Sequence, residues 1–288
     1  MPLVLDLTRL LPGPLAGKIL LQLGWRVIKV EPPSGELTET AYPEAYRWLN
    51  DGKDIRRIDL KAPKGIRALR ALAADADIVL DTNRPGVMER LGAGPDEMRR
   101  KHPSLVYVRI AGYRDPAFRE APGHDLAYLA SDGMLDRLGN AWKDIQVADT
   151  AGALWAVAAA LEGLRKGGGF FEVYLSEAAR VFSYPPMPFL NGGLVCYTLY
   201  EAAPGRVALT ALEPHLWERF CRVAGKREWE SLGTSPAEPS NAVYREMCDF
   251  FLERSDTDWE AWGLKHEVPV RSVRTGGPEG GILPWRET

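Results

Sequence analysis

The feature that most constrains this chain is the regular alternation of short apolar runs with helical stretches over its first third. Val4-Leu5-Asp6-Leu7 is almost continuously apolar, as a strand covered on both faces must be. Pro12-Gly13-Pro14 then puts proline where the first helical turn has no N–H bond to lose. The apolar stretch 15–23 stops at Gly24, a helix terminator. Arg26-Val27-Ile28-Lys29-Val30-Glu31 follows as a strand and halts at Pro32-Pro33. Strand, helix and strand in this order form a βαβ unit, whose crossover makes the two strands parallel.

The pattern continues. Strands are predicted at 55–60, 78–80 and 105–110, helices at 64–74, 88–91 and 95–101. A long Ala- and Leu-rich helix is predicted at 148–164, a strand at 171–175 and a helix start at 176–181. An α/β fold follows, with helices on both faces of a parallel sheet. Ligands of such sheets sit beyond the carboxyl ends of the strands. Composition changes after 181. Prolines cluster within 184–188, Asn191-Gly192-Gly193 follows, and the stretch reads as a linker. Beyond it, 197–200 and 206–210 read as a hairpin, with helices near 215–225 and 243–254. The glycine-rich stretch 276–282 lacks the strand and helix that a phosphate cradle needs.

With 36 basic and 39 acidic residues the formal charge is −3, which argues against a general nucleic-acid binder. A hydrophobic fraction of 45% excludes a disordered chain. Three cysteines without a C-x-x-C pair fit neither a disulfide framework nor structural zinc, and no metal spacing emerges. The first residues lack the basic and long apolar parts of a signal peptide. The longest apolar run, 151–161, is about half a membrane span. A cytoplasmic protein without a membrane partner is expected.

Pro122-Gly123-His124-Asp125-Leu126-Ala127-Tyr128 is the stretch richest in chemistry. It follows the strand 105–110 and stands near the carboxyl edge of the sheet. By itself it reads as a helix start capped by Asp125, with His124 as a possible general base. His102 fits a helix end before Pro103, His215 a helix start and His266 a charged loop. Asp149 stands at the mouth of the apolar helix, where an N-cap accounts for it. A carboxyl at a buried helix end is also suited to exchanging protons. Glu213, before Pro214, opens another helix. Lys61, Lys64, Arg67 and Arg70 read as one solvated face. Arg84 and Arg90 follow the strand 78–80, at the ligand edge, where arginine holds phosphate well.

Read in order, these motifs resemble the family III CoA-transferases, which include the α-methylacyl-CoA racemases. The resemblance rests on Leu5-Asp6-Leu7-Thr8-Arg9 with Pro12-Gly13-Pro14, then Leu23-Gly24-Trp25 to Glu31-Pro32-Pro33. Asn83-Arg84-Pro85-Gly86, Arg90-Leu91-Gly92, Gly123-His124-Asp125 and Gln146 to Gly152 continue it. It implies a Rossmann-like large domain at 1–183, completed by 270–288, and a smaller α+β domain at 190–269. It further implies an interlocked homodimer, with the active site between one chain's large domain and the other's small domain. Asp149 matches the aspartate shared by transferases and racemases, while His124 and Glu213 match the racemase pattern.

The implied reaction is a 1,1-proton transfer at the carbon α to an acyl-CoA thioester. His124, supported by Glu213, serves one face and Asp149 the other. Backbone N–H groups at the aspartate's helix end would stabilise the enolate oxygen. CoA, as part of the substrate, would contact Leu10, Leu60, Lys61, Arg84, Arg90, Gly123, Asp125 and Tyr128, with no other cofactor. The alternatives are a CoA-transferase that uses Asp149 as nucleophile and a non-catalytic CoA-binding homologue. Two departures from the family stand out. Pro32-Pro33 replaces an arginine, and the loops at 112–122, at 139–146 and after 181 are short.

Overall fold

The computed structural model describes residues 1–139, 145–183, 190–275 and 282–284. The chain divides into two compact units, Met1–Tyr184 with Gly281–Thr288, and Pro185–Gly280. Most of the proline-rich linker and nearly all of the glycine-rich stretch 276–282 lie outside the described residues.

The large unit is built on a six-stranded parallel sheet. Its strands are β1 (Leu3–Leu7), β2 (Arg26–Glu31), β3 (Asp54–Arg57), β4 (Ile78–Asp81), β5 (Val106–Ala111) and β6 (Gly169–Tyr174), in spatial order β3-β2-β1-β4-β5-β6. That is the order of a doubly wound nucleotide-binding sheet, with its switch point between β1 and β4. Alternation along each strand divides the core. Val4, Val27, Ile78, Leu80, Val106 and Val108 pack on one face, against α1 (Pro12–Gln22) and α9 (Val147–Arg165). Leu5, Ile28, Val79 and Tyr107 pack on the other, against α4 (Pro63–Ala74) and α6 (Pro95–Lys101). Helices α2 (Leu37–Ala41), α3 (Pro43–Asn50), α5 (Val87–Arg90), α7 (Asp125–Ser131), α8 (Met134–Leu138) and α10 (Leu175–Ala178) complete the unit. Sequence periodicity did not reveal α2 and α3, which are short and mostly exposed.

Helix α9 lies close to the sheet because glycines face its neighbours. A Cβ on Gly163 would stand 2.4 Å from Val106 Cγ1, and one on Gly152 would stand 2.3 Å from Leu175 Cδ2. Ala148, Ala151, Ala153, Ala156 and Ala160 are fully or nearly fully buried. By length and composition α9 is apolar enough to cross a membrane, yet this face belongs to the core of the sheet.

Three carboxylates are buried at or near the carboxyl ends of β1, β2 and β4, and each holds a neighbouring segment in place. Asp6 accepts from Lys53 Nζ at 3.0 Å, and the same ammonium donates to Pro14 O at 2.8 Å and Asn50 Oδ1 at 3.1 Å. Burial alone would raise the Asp6 pKa, but Lys29, Lys53 and the Thr8 hydroxyl hold it below the usual carboxylate value. Glu31 accepts from the Tyr46 hydroxyl at 2.7 Å. Asp81 accepts from Tyr107 at 2.8 Å and from Asn83 through both its backbone and side-chain nitrogens.

The second unit carries the antiparallel sheet β7 (Tyr197–Glu201), β8 (Arg206–Thr210) and β9 (Val270–Ser272). Helices α11 (Pro214–Ala224), α12 (Ala242–Phe251) and α13 (Asp256–His266) surround an aromatic core of Trp217, Phe220, Trp229, Phe251 and Trp259. Two expectations change here. The stretch 270–288 does not return to the large domain as a whole, because Val270–Ser272 is the third strand of the small sheet. Further on, Ile282 and Leu283 pack on the core of the large unit. His266 is not in a loop. It ends α13, with its ring 5.2 Å from that of Trp262.

Replacing Lys53 with methionine removes the ion-pair partner of the buried Asp6 carboxylate, so a loss of about 3–5 kcal/mol is expected in urea unfolding. A loss below about 1 kcal/mol would show that the pair does not anchor this edge.

Candidate active site at the start of helix α9

The loops after β1 and β4 meet at the switch point of the sheet. Arg9 N donates to Thr82 Oγ1 at 3.0 Å, and its guanidinium to Asn83 Oδ1 at 3.1 Å. Leu10 sits in this turn with φ 65°, a left-handed conformation that points to a constrained loop. Arg84 and Arg90 are exposed and form no ion pair among the described residues. Gly86, at φ 83°, lets the chain turn so closely that a Cβ there would stand 3.1 Å from Arg90 Nη1. Leu60 and Lys61 follow β3, and Gly123 and Tyr128 follow β5. The residues expected at CoA therefore line up along one edge of the sheet, beyond the carboxyl ends of β3, β1, β4 and β5. A cleft of about 640 Å³ opens there between Pro85-Gly86 and the loop Pro116-Ala117, with Arg119, Glu120 and Ala121.

His124 is the N-cap residue of α7. Its carbonyl accepts the N–H groups of Ala127 at 2.8 Å and Tyr128 at 3.2 Å, while its exposed side chain makes no cap bond. Asp125 turns the other way. Its carboxylate is buried and accepts the N–H of Asp149 at 2.8 Å, with the N–H groups of Ala148 and Val147 also directed at it. Asp125 thus caps α9 from outside rather than its own helix. This corrects one expectation. Asp149 is the third residue of α9, after the N-cap Gln146, and not the cap itself. The N–H groups of its first turn, from Val147, Ala148 and Asp149, face the Asp125 carboxylate. The Asp125 carboxylate itself faces α9.

Asp149 is 8% exposed. Burial, followed by the negative charge of Asp125, pushes its pKa up to about 7. Burial raises Asp125 too, against the three N–H groups that favour its ionised form. Tyr128 closes the site. Its hydroxyl donates to Gly123 O at 2.8 Å, and its ring lies 5.2 Å from that of Tyr113. Burial and the nearby Asp149 charge raise the Tyr128 hydroxyl to about 12, while Arg84 pulls it down. Gly123 is required by this close packing, since a Cβ on it would meet the Tyr128 ring at 2.6 Å.

His124 is thus the chain neighbour of Asp125, the residue whose carboxylate accepts the Asp149 N–H. Glu213 belongs to the second unit, where it is the exposed N-cap residue of α11. Among the described residues no set of His, Cys, Asp and Glu converges as metal ligands. Sequence reading missed the capping role of Asp125, because nothing local marks a bond across 24 positions. It also missed the Arg109 cluster behind the site. There Arg109 pairs with Glu89 and stands 3.7 Å from both Asp81 and Glu172. A charged residue inside an otherwise apolar strand was its only signal.

A doubly wound α/β unit of this strand order belongs to the class of folds that bind ligands beyond the carboxyl ends of their strands. The model of CoA-transferase family III matches residues 3–277, and the chain belongs to that family. It is 28% identical over 283 residues to human alpha-methylacyl-CoA racemase, covering 89% of this chain and 72% of that protein. It is equally 28% identical over 298 residues to succinyl-CoA:mesaconate CoA-transferase from Haloarcula hispanica, covering 90% and 74%. Among solved structures it resembles a hypothetical protein, Rv3272, from Mycobacterium tuberculosis. That match has a TM-score of 0.82 and 28% identity, over 95% of this chain and 82% of the other.

A carboxyl raised to about 7 leaves a mark on stability. Between about pH 4 and pH 7 the folded chain keeps a proton that the unfolded chain has lost, so stability falls as pH rises through that window. The full cost, on the order of 4 kcal/mol, is present above pH 7. Asp149→Asn is expected to raise the urea midpoint at pH 8 and to leave it nearly unchanged at pH 4. Equal shifts at both pH values would contradict a titrating Asp149.

Proposed function

We propose that this protein is an acyl-CoA racemase or epimerase that inverts the α-carbon of a 2-methylacyl-CoA thioester. One observation carries the reading. The carboxylate of Asp125, the residue after His124, accepts the Asp149 N–H, and Asp149 sits near neutral pKa, which supports pairing the two as acid/base groups. A group that must both take and give a proton works best when its pKa is near the working pH.

The thioester carbonyl acidifies the α-proton by spreading the developing charge onto its oxygen. In one direction His124 removes the proton, and the C–H electron pair enters the enolate. Asp149 then delivers its own proton to the opposite face. In the other direction the roles reverse. Protons are conserved, because each base ends as the acid for the return. CoA would run along the carboxyl edge of the sheet, with Arg84, Arg90 and Lys61 meeting its phosphates and Leu10, Leu60, Gly123 and Tyr128 beside it. Glu213 is assigned to support the histidine on the family pattern. The same reading makes the enzyme a cytoplasmic homodimer. The exposed Leu154, Trp155 and Leu161 on α9 are consistent with a covered face.

The second reading is a CoA-transferase, favoured by the equal identity to the Haloarcula enzyme. There Asp149 would attack an acyl-CoA carbonyl, expel CoA thiolate and form a mixed anhydride. That step needs an ionised carboxylate, and a pKa near 7 leaves much of it protonated at neutrality.

Purified protein in D2O is expected to exchange the α-hydrogen of a 2-methylacyl-CoA. Absence of exchange across a panel of branched acyl-CoAs would refute the racemase reading. Inactivation by hydroxylamine in the presence of a CoA donor and a free acid, with adduct formation at Asp149, would establish the transferase instead.

A further inference from the structure

We propose that Asp125 is the positioning residue of this site. In this role its carboxylate seats the first turn of α9, sets where the Asp149 side chain lies, and acts as the fixed negative charge that Asp149 titrates against. The inference rests on the proton-transfer reading above.

The geometry carries it. The bond from Asp149 N to Asp125 Oδ1 is 2.8 Å, and both side chains are buried, at 8% and 4% exposure. Two carboxyls brought together in a poorly solvated site do not ionise independently. Asp125 takes the role of the fixed charge, because three N–H groups of α9 face its carboxylate and the positive end of the helix favours its ionised form. Asp149 receives no such bond, so it is the group left to hold the proton.

The surroundings supply little other charge. Tyr128 lies on α7, where burial raises its hydroxyl and keeps it neutral at working pH, and Tyr113 lies beyond β5. Arg84, in the loop after β4, acts on Tyr128. On α10, Glu177 is paired with Arg114 and Arg180. On β6, Glu172 is paired with Arg109 and Arg119. Asp125 also follows His124 directly, so one residue ties the two proposed acid/base groups to a common frame. The motif Gly123-His124-Asp125 then has a physical division of labour. Glycine admits the Tyr128 ring, histidine faces outward, and aspartate reaches inward to α9.

Two variants of the full-length protein test this. Asp125→Asn keeps an oxygen that accepts the Asp149 N–H but removes the charge. Asp125→Ala removes both. The readout that needs no substrate is the titration of the Asp149 carboxyl, followed by ¹³C NMR of aspartate-labelled protein with Asp149→Asn as the assignment control. In Asp125→Asn that titration is expected to fall by roughly one unit, and the acidic limb of the exchange profile is expected to move with it. In Asp125→Ala the exchange turnover is expected to drop roughly hundredfold with KM little changed, as misplacement of an acid/base group produces. Asp125→Asn should recover much of that turnover.

An Asp149 titration unmoved in Asp125→Asn, or wild-type turnover in Asp125→Ala, overturns the proposal. If no branched acyl-CoA exchanges in the wild type, the racemase reading fails, while the NMR titration still decides whether Asp125 sets the state of Asp149.

Discussion

The structure depends on how it buries charge at the carboxyl edge of its parallel sheet. Asp6 at the end of β1 is fully buried, and Lys29, Lys53 and Thr8 together make that tolerable. Lys53 reaches in from the turn between α3 and β3 and also binds Pro14 O at the start of α1. One ammonium therefore ties together β1, α1 and the chain leading to β3. Glu31 and Asp81 repeat the solution with Tyr46, Tyr107 and Asn83 as partners.

A consequence for ligand binding follows from this arrangement. The acids along this edge are turned inward and consumed by structural partners, whereas Arg84, Arg90 and Lys61 stay exposed and without ion pairs among the described residues. With a net charge of −3 the chain has no global field to draw in an anion, so under the proposed function recognition of the CoA phosphates would rest on this local asymmetry. The same logic governs the site. Asp125 and Asp149 are again buried acids, but only Asp125 has N–H groups to satisfy it, and the unequal share leaves Asp149 near neutral pKa.

The parallel sheet was legible because its strands are apolar on both faces and separated by marked helix starts and stops. Val4-Leu5-Asp6-Leu7, Ile78-Val79-Leu80 and the run from Val106 could not be anything else in this context. Helix α13 escaped notice, since its buried Trp259 and Gly263 are spread among charged residues with almost no amphipathic stripe. The strand read at 55–60 is shorter, Asp54–Arg57, and the chain turns before Leu60. Asp149 and His124 were found by motif. Their connection was hidden, because a side chain capping a helix distant in sequence leaves no periodicity and no spacing rule. Lys53 was invisible for a similar reason, as a lysine in a turn reads as solvated until the fold brings Asp6 against it.

The proposed reaction requires Asp149 and His124 to stand on opposite faces of one reacting carbon. The measurement that tests it most directly is enantiomer-resolved α-hydrogen exchange in D2O, comparing Asp149→Asn with His124→Ala. Each variant keeps one base, so each is expected to exchange the hydrogen of one enantiomer without inverting it. The two variants should prefer opposite enantiomers. Loss of exchange from both enantiomers in one variant and from neither in the other, or the same preference in both, would contradict the account.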